Sequence, residues 1–258
     1  MSKVMITGVA VVDFIFQVKS MPKEPEKYRA KDAAISGGGI AANAAVAISR
    51  LGGKATLVSR VGKDEIGEII KKQLIQEGVK TNRIKTFQGN HSSFSSVYID
   101  GQGERQIVNY RDPELPEEAL WINNIEKHQV YLADTRWTEG AIETLKIARK
   151  HNSPGVLDAE DTVTEEAIKL ASHVAFSLYG LTTFTQEVDI RKALAKVKKV
   201  TNAWVCVTHG EKGVFFLNDN RLENIPTANV EVKETLGAGD VWHGAFALSL
   251  AEGKKEID

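Results

Sequence analysis

One cysteine, a formal net charge of −1 and no long apolar run set the first limits on this chain of 258 residues. A single thiol, Cys206, allows no disulfide within the chain, which suits the reducing cytoplasm. Cys206 lies in the apolar run Ala203 to Val207, where a buried structural thiol is expected rather than a reactive one. Lys and Arg number 33 against 34 Asp and Glu, so there is no basic excess for a nucleic-acid backbone or an anionic membrane surface. No stretch approaches the roughly 18 apolar residues of a membrane span. The apolar N-terminus from Val4 to Val18 is broken by Gly8 and Asp13 and lacks a small-residue cleavage site, so it reads as strand and not as signal peptide. The chain has no G-x-x-x-x-G-K-[ST] loop, no repeat and no low-complexity tract. Its six histidines form no spaced set with acidic or cysteine partners, so no zinc site is expected and metal ligands stay unassigned. A small-molecule ligand is the class that remains.

What is present is an alternation of short apolar runs and amphipathic segments. Val4 to Gly8 has the form of a buried first strand, and Asp13 follows on the side where open α/β sheets bind ligands. Phe14 to Val18 and Tyr28 to Ile35 read as strands of an early hairpin. Ser93 to Ile99 and Arg105 to Tyr110 read as a second hairpin around Asp100-Gly101-Gln102-Gly103. Between them, Gly37-Gly38-Gly39 opens an alanine-rich helix to Leu51, a strand covers Lys54 to Arg60, and a helix covers Glu65 to Glu77. From Val130 onward strands and helices alternate: Val130 to Ala133, Glu139 to Lys150, Gly155 to Asp158, Thr164 to Ala171, Val174 to Ser177, Asp189 to Val200 and Trp204 to Thr208. Two strands, Val214 to Leu217 and Arg221 to Asn224, and a helix from Ala238 follow. This rhythm predicts a mainly parallel sheet with right-handed crossovers. The two hairpins, about 14–35 and 93–110, are expected to join as a small sheet inserted into one α/β domain spanning 1–258.

Three glycine-rich turns carry the chemistry. Gly237 and Gly239 permit a tight turn, and Val241, Ala245 and Leu248 recur at helical spacing after it, so the turn opens a helix. Free N–H groups at such a start favour an anion. Asp240 in that first turn would repel a phosphate unless it has a proton to accept. Thr208-His-Gly210-Glu-Lys-Gly213 follows another buried strand and is sized for a phosphate or nucleotide, although a plain connection has the same form. Gly37-Gly-Gly-Ile-Ala-Ala42 fits a dinucleotide fingerprint loosely. That fingerprint belongs at the end of the first strand, whereas here the first strand leads to Asp13, so a nicotinamide-dependent oxidoreductase is disfavoured.

Taken in this order, the motifs resemble those of the ribokinase-like, or PfkB, carbohydrate kinases. The second family signature is similar to Thr235-Leu-Gly-Ala-Gly-Asp240 with Val-Trp-His-Gly-Ala-Phe after it, and the first to Gly38-Gly39 with Asn43. The resemblance implies an α/β three-layer sandwich with a small β-sheet lid, ATP and Mg2+ as cofactors, and often a homodimer formed through the lid. It implies Asp240 as the base for a sugar hydroxyl, with Gly237, Ala238 and Gly239 amides on the transferred phosphoryl group. Thr208, Gly210 and Gly213 match the nucleotide loop; Asp13, Gly38, Gly39 and Asn43 match the sugar side. Within the family the likeness is strongest to 6-deoxy-6-sulfofructose kinases, through Glu26-Lys-Tyr, Gly103-Glu-Arg, Val108-Asn-Tyr, Leu132-Ala-Asp-Thr-Arg-Trp137 and Ala175-Phe-Ser-x-x-Gly-Leu181. On the matching positions Lys27, Asn109 and Arg136 would bind the sulfonate, and phosphoryl transfer would go to the C1 hydroxyl.

Three departures accompany the likeness. Ser177 and Gly180 stand where many members carry an Asn-x-x-Glu tied to magnesium, and Leu178 stands where the sulfosugar branch usually has an acid. Leu236 replaces a threonine before Gly237. The family normally continues past the point matched by Asp258, so the Asp240 helix is expected to leave apolar surface on Val241, Ala245 and Leu248. The alternative these departures raise is a weakened or non-catalytic sugar- or nucleotide-binding protein of the same fold.

Overall fold

The computed structural model describes residues 1–232 and 235–258. The first half runs β1 (Lys3–Thr7), β2 (Val11–Gln17), β3 (Asp32–Gly38), α1 (Ile40–Arg50), β4 (Lys54–Gly62), α2 (Glu65–Gln76), β5 (Lys80–Phe87), β6 (Phe94–Ile99) and β7 (Arg105–Tyr110). The second half runs β8 (Val130–Asp134), α3 (Thr138–Lys150), β9 (Gly155–Ala159), α4 (Glu165–Leu170), β10 (His173–Ser177), α5 (Leu178–Thr185), α6 (Ile190–Lys198), β11 (Trp204–Thr208), β12 (Val214–Asn218), β13 (Arg221–Ile225) and α7 (Ala238–Ala251).

Among the described residues the strands form a nine-stranded sheet, ordered β13-β12-β11-β10-β9-β8-β1-β4-β5, and a four-stranded sheet, ordered β3-β2-β6-β7. The large sheet is parallel from β11 to β5, and β12 and β13 add an antiparallel edge. Alternation along β1 sorts its side chains between two layers of helices. Val4 and Ile6 join the apolar cluster that includes Ala41, Ala45 and Ile48 of α1 and Phe246 and Leu248 of α7. Met5 faces the other way, with Ile147 and Ala148 of α3. The all-round alanine of α1 is explained by its neighbours: it packs on the sheet and, along its side, against α7, where Ala44 lies against Gly244, and a Cβ at Gly244 would come within 2.6 Å of the Ala44 carbonyl.

The two hairpins do meet. β2 pairs antiparallel with β3 and parallel with β6, and β6 pairs antiparallel with β7. Several boundaries differ from the sequence expectation. β3 begins at Asp32, not Tyr28, and runs through Gly37 and Gly38, so only Gly39 belongs to the helix start, as its N-cap. β5 and α5 were not expected. β5 is a half-exposed strand at the sheet edge with polar residues at most positions, and α5 is rich in threonine, which has low helix propensity.

In the large sheet β1 lies between β4 and β8, so chain direction across the sheet reverses beside β1. Clefts form beyond the carboxyl ends of strands at such a reversal. Gly8, Asp134 and the start of α1 meet there.

Candidate active site

Asp134 ends β8 and is 1% exposed. Its Oδ2 accepts from Val9 N at 2.8 Å and Ala41 N at 3.1 Å, and its Oδ1 accepts from Arg136 N at 2.9 Å. Gly39 gives α1 no side-chain cap, so a carboxylate from across the sheet satisfies one of the open N–H groups of the helix. The fit leaves no space at Gly8, where a Cβ would lie 2.0 Å from Asp134 Oδ2. One acid thereby joins the end of β1, the entry to β2, the start of α1 and the turn after β8.

Above this junction a cavity of about 890 Å³ opens between the two sheets. Asp13, Asn43, Asn109, Arg136, Gly237 and Asp240 line it, together with Gly39 and Leu236. Gly237 takes a left-handed conformation, φ 72°, as N-cap of α7, which suits glycine and turns the chain into the helix. Asp240 is in the first turn, where its carboxylate favours the helix dipole. Asn43 Nδ2 donates to Asp240 Oδ2 at 2.8 Å. Burial raises Asp240 to a pKa of about 6; the Asn43 bond opposes this, and the charges of Asp134 and Glu160 add to it. Burial also raises Asp13, against a hydrogen bond with Ser95. Asp13 occupies the space a side chain at Gly38 would need, since a Cβ there would lie 2.3 Å from Asp13 Oδ2.

The structure therefore gathers Asp13, Gly39, Asn43, Asn109, Arg136, Gly237 and Asp240 around one cavity, with Gly38 packed behind Asp13 and with Ala238 and Gly239 following in the first turn of α7. Lys27 is exposed on the connection between β2 and β3 and does not line it. Thr208, Gly210 and Gly213 also stand outside the cavity, at the carboxyl end of β11. Thr208 pairs in register with Ser177, and its Oγ1 donates to Phe176 O at 3.3 Å. Ser177 accepts from Gly180 N at 2.9 Å as N-cap of α5 and donates to Glu160 Oε2 at 3.2 Å.

Four charged groups near the cavity were not singled out from the sequence. Asp134, Asp158 and Glu160 lie at or just beyond the carboxyl ends of β8 and β9. Their signal was an acid closing an apolar run on the ligand side of a parallel sheet. Arg111, just past β7, lines the cavity beside Arg136. Burial and the charge of Arg136 both lower its pKa, opposed by Asp134 and Asp161. Arg136 Nη1 lies 3.0 Å from Asp161 Oδ1, while its buried Nε has no hydrogen-bond partner among the described residues. An anionic group in the cavity would complement these two guanidinium groups. Among the described residues no cluster of three or more His, Cys, Asp or Glu is arranged to hold a metal ion. No helix of the described residues is long and apolar enough to cross a membrane.

The model of the pfkB family of carbohydrate kinases matches residues 1–256. The chain belongs to that family. This sugar kinase is 28% identical over 261 residues to a ribokinase of Bacillus subtilis, an alignment covering 98% of this chain and 87% of that one. It is 29% identical over 275 residues to a fructokinase of Vibrio alginolyticus, covering 97% and 85%. A solved structure of a candidate ribokinase from Agrobacterium tumefaciens superposes with a TM-score of 0.89 at 32% identity, over 98% of this chain and 86% of that chain. The ribokinase-like fold, with its large mainly parallel sheet and smaller second sheet, is thus the fold of this kinase.

Proposed function

We propose that this kinase transfers the γ-phosphoryl group of ATP to a primary hydroxyl of a sugar bound between the two sheets, with Asp240 as general base. The observation that carries the reading is Asp240 itself: a carboxylate with a pKa of about 6, lining the cavity at the start of α7. Such a group is mostly ionised at neutral pH yet basic enough to take a hydroxyl proton during transfer. The freed oxygen attacks the γ-phosphorus, ADP leaves, and the first-turn N–H groups after Gly237 face the charge on the moving phosphoryl. Asp13 and Asn43 offer acceptors and a donor to sugar hydroxyls. The Thr208–Gly213 turn is assigned to the nucleotide, and a solved Arabidopsis thaliana ribokinase complexed with ribose and ATP, TM-score 0.86, supports a site of this kind in this fold. Mg2+ is assigned to the nucleotide phosphates. The described residues offer no cluster of protein ligands for it, so the phosphates themselves would hold the ion.

The sugar we assign is an anionic ketose, 6-deoxy-6-sulfofructose, phosphorylated at C1. Arg136 and Asn109 support this by lining the cavity, and Arg111 adds a second cation; exposed Lys27 adds nothing. A homodimer through the second sheet is supported by apolar side chains on β3 and β7, with Ile35 54% and Val108 60% exposed. A coupled kinase assay over neutral, phosphorylated and sulfonated ketoses tests the reading. Asp240→Asn is expected to lower turnover at least a thousandfold while sugar still binds, and an unchanged rate would sink the assignment.

A further inference from the structure

His243 follows Asp240 by three residues in α7 and is 2% exposed. Its ring touches three elements at once. Nδ1 lies 2.7 Å from the Gly239 carbonyl in the first turn of α7 and 3.2 Å from Oδ2 of Asp158 at the end of β9. Nε2 lies 3.2 Å from the Ala175 carbonyl in β10. The two carbonyls are acceptors, and so is Asp158 when ionised. A neutral imidazole has one N–H, so one ring nitrogen would turn a lone pair toward an oxygen; the imidazolium has two and satisfies both sides.

Asp158 is 2% exposed, and its Oδ1 has no hydrogen-bond partner among the described residues. Burial pushes His243 down to about 4 against its bonds to the two carbonyls, and burial together with the neighbouring carboxylates pushes Asp158 well up. Facing each other they are a different case. Moving one proton from carboxyl to ring leaves the pair at zero net charge, and the attraction across 3.2 Å offsets both costs together.

We propose that His243 and Asp158 are positioning residues, an imidazolium–carboxylate pair that fastens the first turn of α7 to the sheet and cancels the charge of Asp158 near Asp240. The inference rests on Asp240 as the base. The other charged groups facing Asp158 are Asp240, Glu160 and Asp134, which raise it, and Arg136, which opposes them. Asp134 and Glu160 also face Asp240. None of these changes when His243 is replaced. Without the imidazolium, Asp158 has no partner for its charge and faces the carboxylate of Asp240, so Asp158 keeps its proton to higher pH while Asp240 still ionises first.

Two variants test this: His243→Gln, which keeps a donor without a titrating ring, and Asp158→Asn. The His243 ring nitrogens are read by 15N NMR and the Asp158 and Asp240 carboxyls are titrated by 13C NMR, none of which needs turnover, and the pH dependence of kcat/KM is measured beside them. In the parent both ring nitrogens are expected to carry protons and Asp158 to be ionised at neutral pH. In His243→Gln the Asp158 carboxyl is expected to keep its proton to about one pH unit higher or more, with the Asp240 titration close to the parent and KM for sugar within about threefold. In Asp158→Asn the ring is expected to lose its second proton. A neutral ring beside a protonated Asp158 in the parent overturns the proposal, as does an Asp158 titration that His243→Gln leaves in place. Should His243→Gln fail to fold by circular dichroism, Asp158→Asn decides alone, and a ring still doubly protonated there overturns it. If the parent's limb does not follow the NMR titration of Asp240, the base assignment fails, while the ring nitrogens and the titration of Asp158 still report on the pair.

Discussion

Asn43 and Asp240 meet at 2.8 Å although 197 residues separate them, because α1 and α7 pack side by side with their N-termini at the same end of the sheet. The amide favours the ionised carboxylate and works against its burial. A base acts when deprotonated, so kcat/KM is expected to fall as pH drops through about 6. Asn43→Ala removes the bond that keeps Asp240 from rising further, and its acid limb is expected to move to higher pH, with about tenfold less turnover at pH 6. A pH–rate profile of both proteins checks the direction.

Gly38 gives its side-chain space to Asp13. Gly38→Ala is expected to displace that carboxylate and raise KM for the sugar about tenfold or more, with KM for the nucleotide little changed. Equal losses for both substrates would show that Asp13 does not contact the sugar.

Asp134 accepts three backbone N–H groups in a buried setting. Asp134→Asn turns one acceptor oxygen into a donor and leaves at least one N–H without a partner, so a loss of about 2–3 kcal/mol in stability is expected. Gly8→Ala should destabilise through the same contact, from the other side. Urea unfolding curves at constant slope measure both.

Arg111→Gln and Arg136→Gln are each expected to lower kcat/KM about tenfold or more for an anionic ketose and less than threefold for fructose. Lys27→Ala, at an exposed position outside the cavity, is expected to change neither. Parallel losses on both sugars would refute the anionic substrate.

Most of the architecture was legible because buried parallel strands and amphipathic helices carry strong local patterns: β7 and β11 have the expected bounds. β5 escaped because an edge strand keeps polar residues, as Lys80, Asn82, Arg83 and Lys85 show. The start of β3 slipped by four residues because Lys27 to Lys31 carry no register signal of their own, whereas Gly37 and Gly38 stay in the strand through pairing with Val12 and Val11. In the site, Asp240, Gly237 and Asn43 were readable from their local motifs. Asp134 and Asp158 were not, since each looks like the polar end of a strand until the strand order brings it to the cleft. Arg111 was hidden for the same reason: only the folding of β7 over the large sheet carries it to Arg136.

The central position of β1 also orders the assembly of this protein in time. Its two edges are closed by β4, beginning at Lys54, and by β8, beginning at Val130. Until Asp134 has emerged from the ribosome, Val9 and Ala41 lack the oxygen that holds them, and Asn43 waits longer still for Asp240, 197 residues further on. The earliest-made segment of the cleft is therefore among the last to reach its final hydrogen bonding, and nascent chains that stop short of Val130 should leave β1 open along one edge.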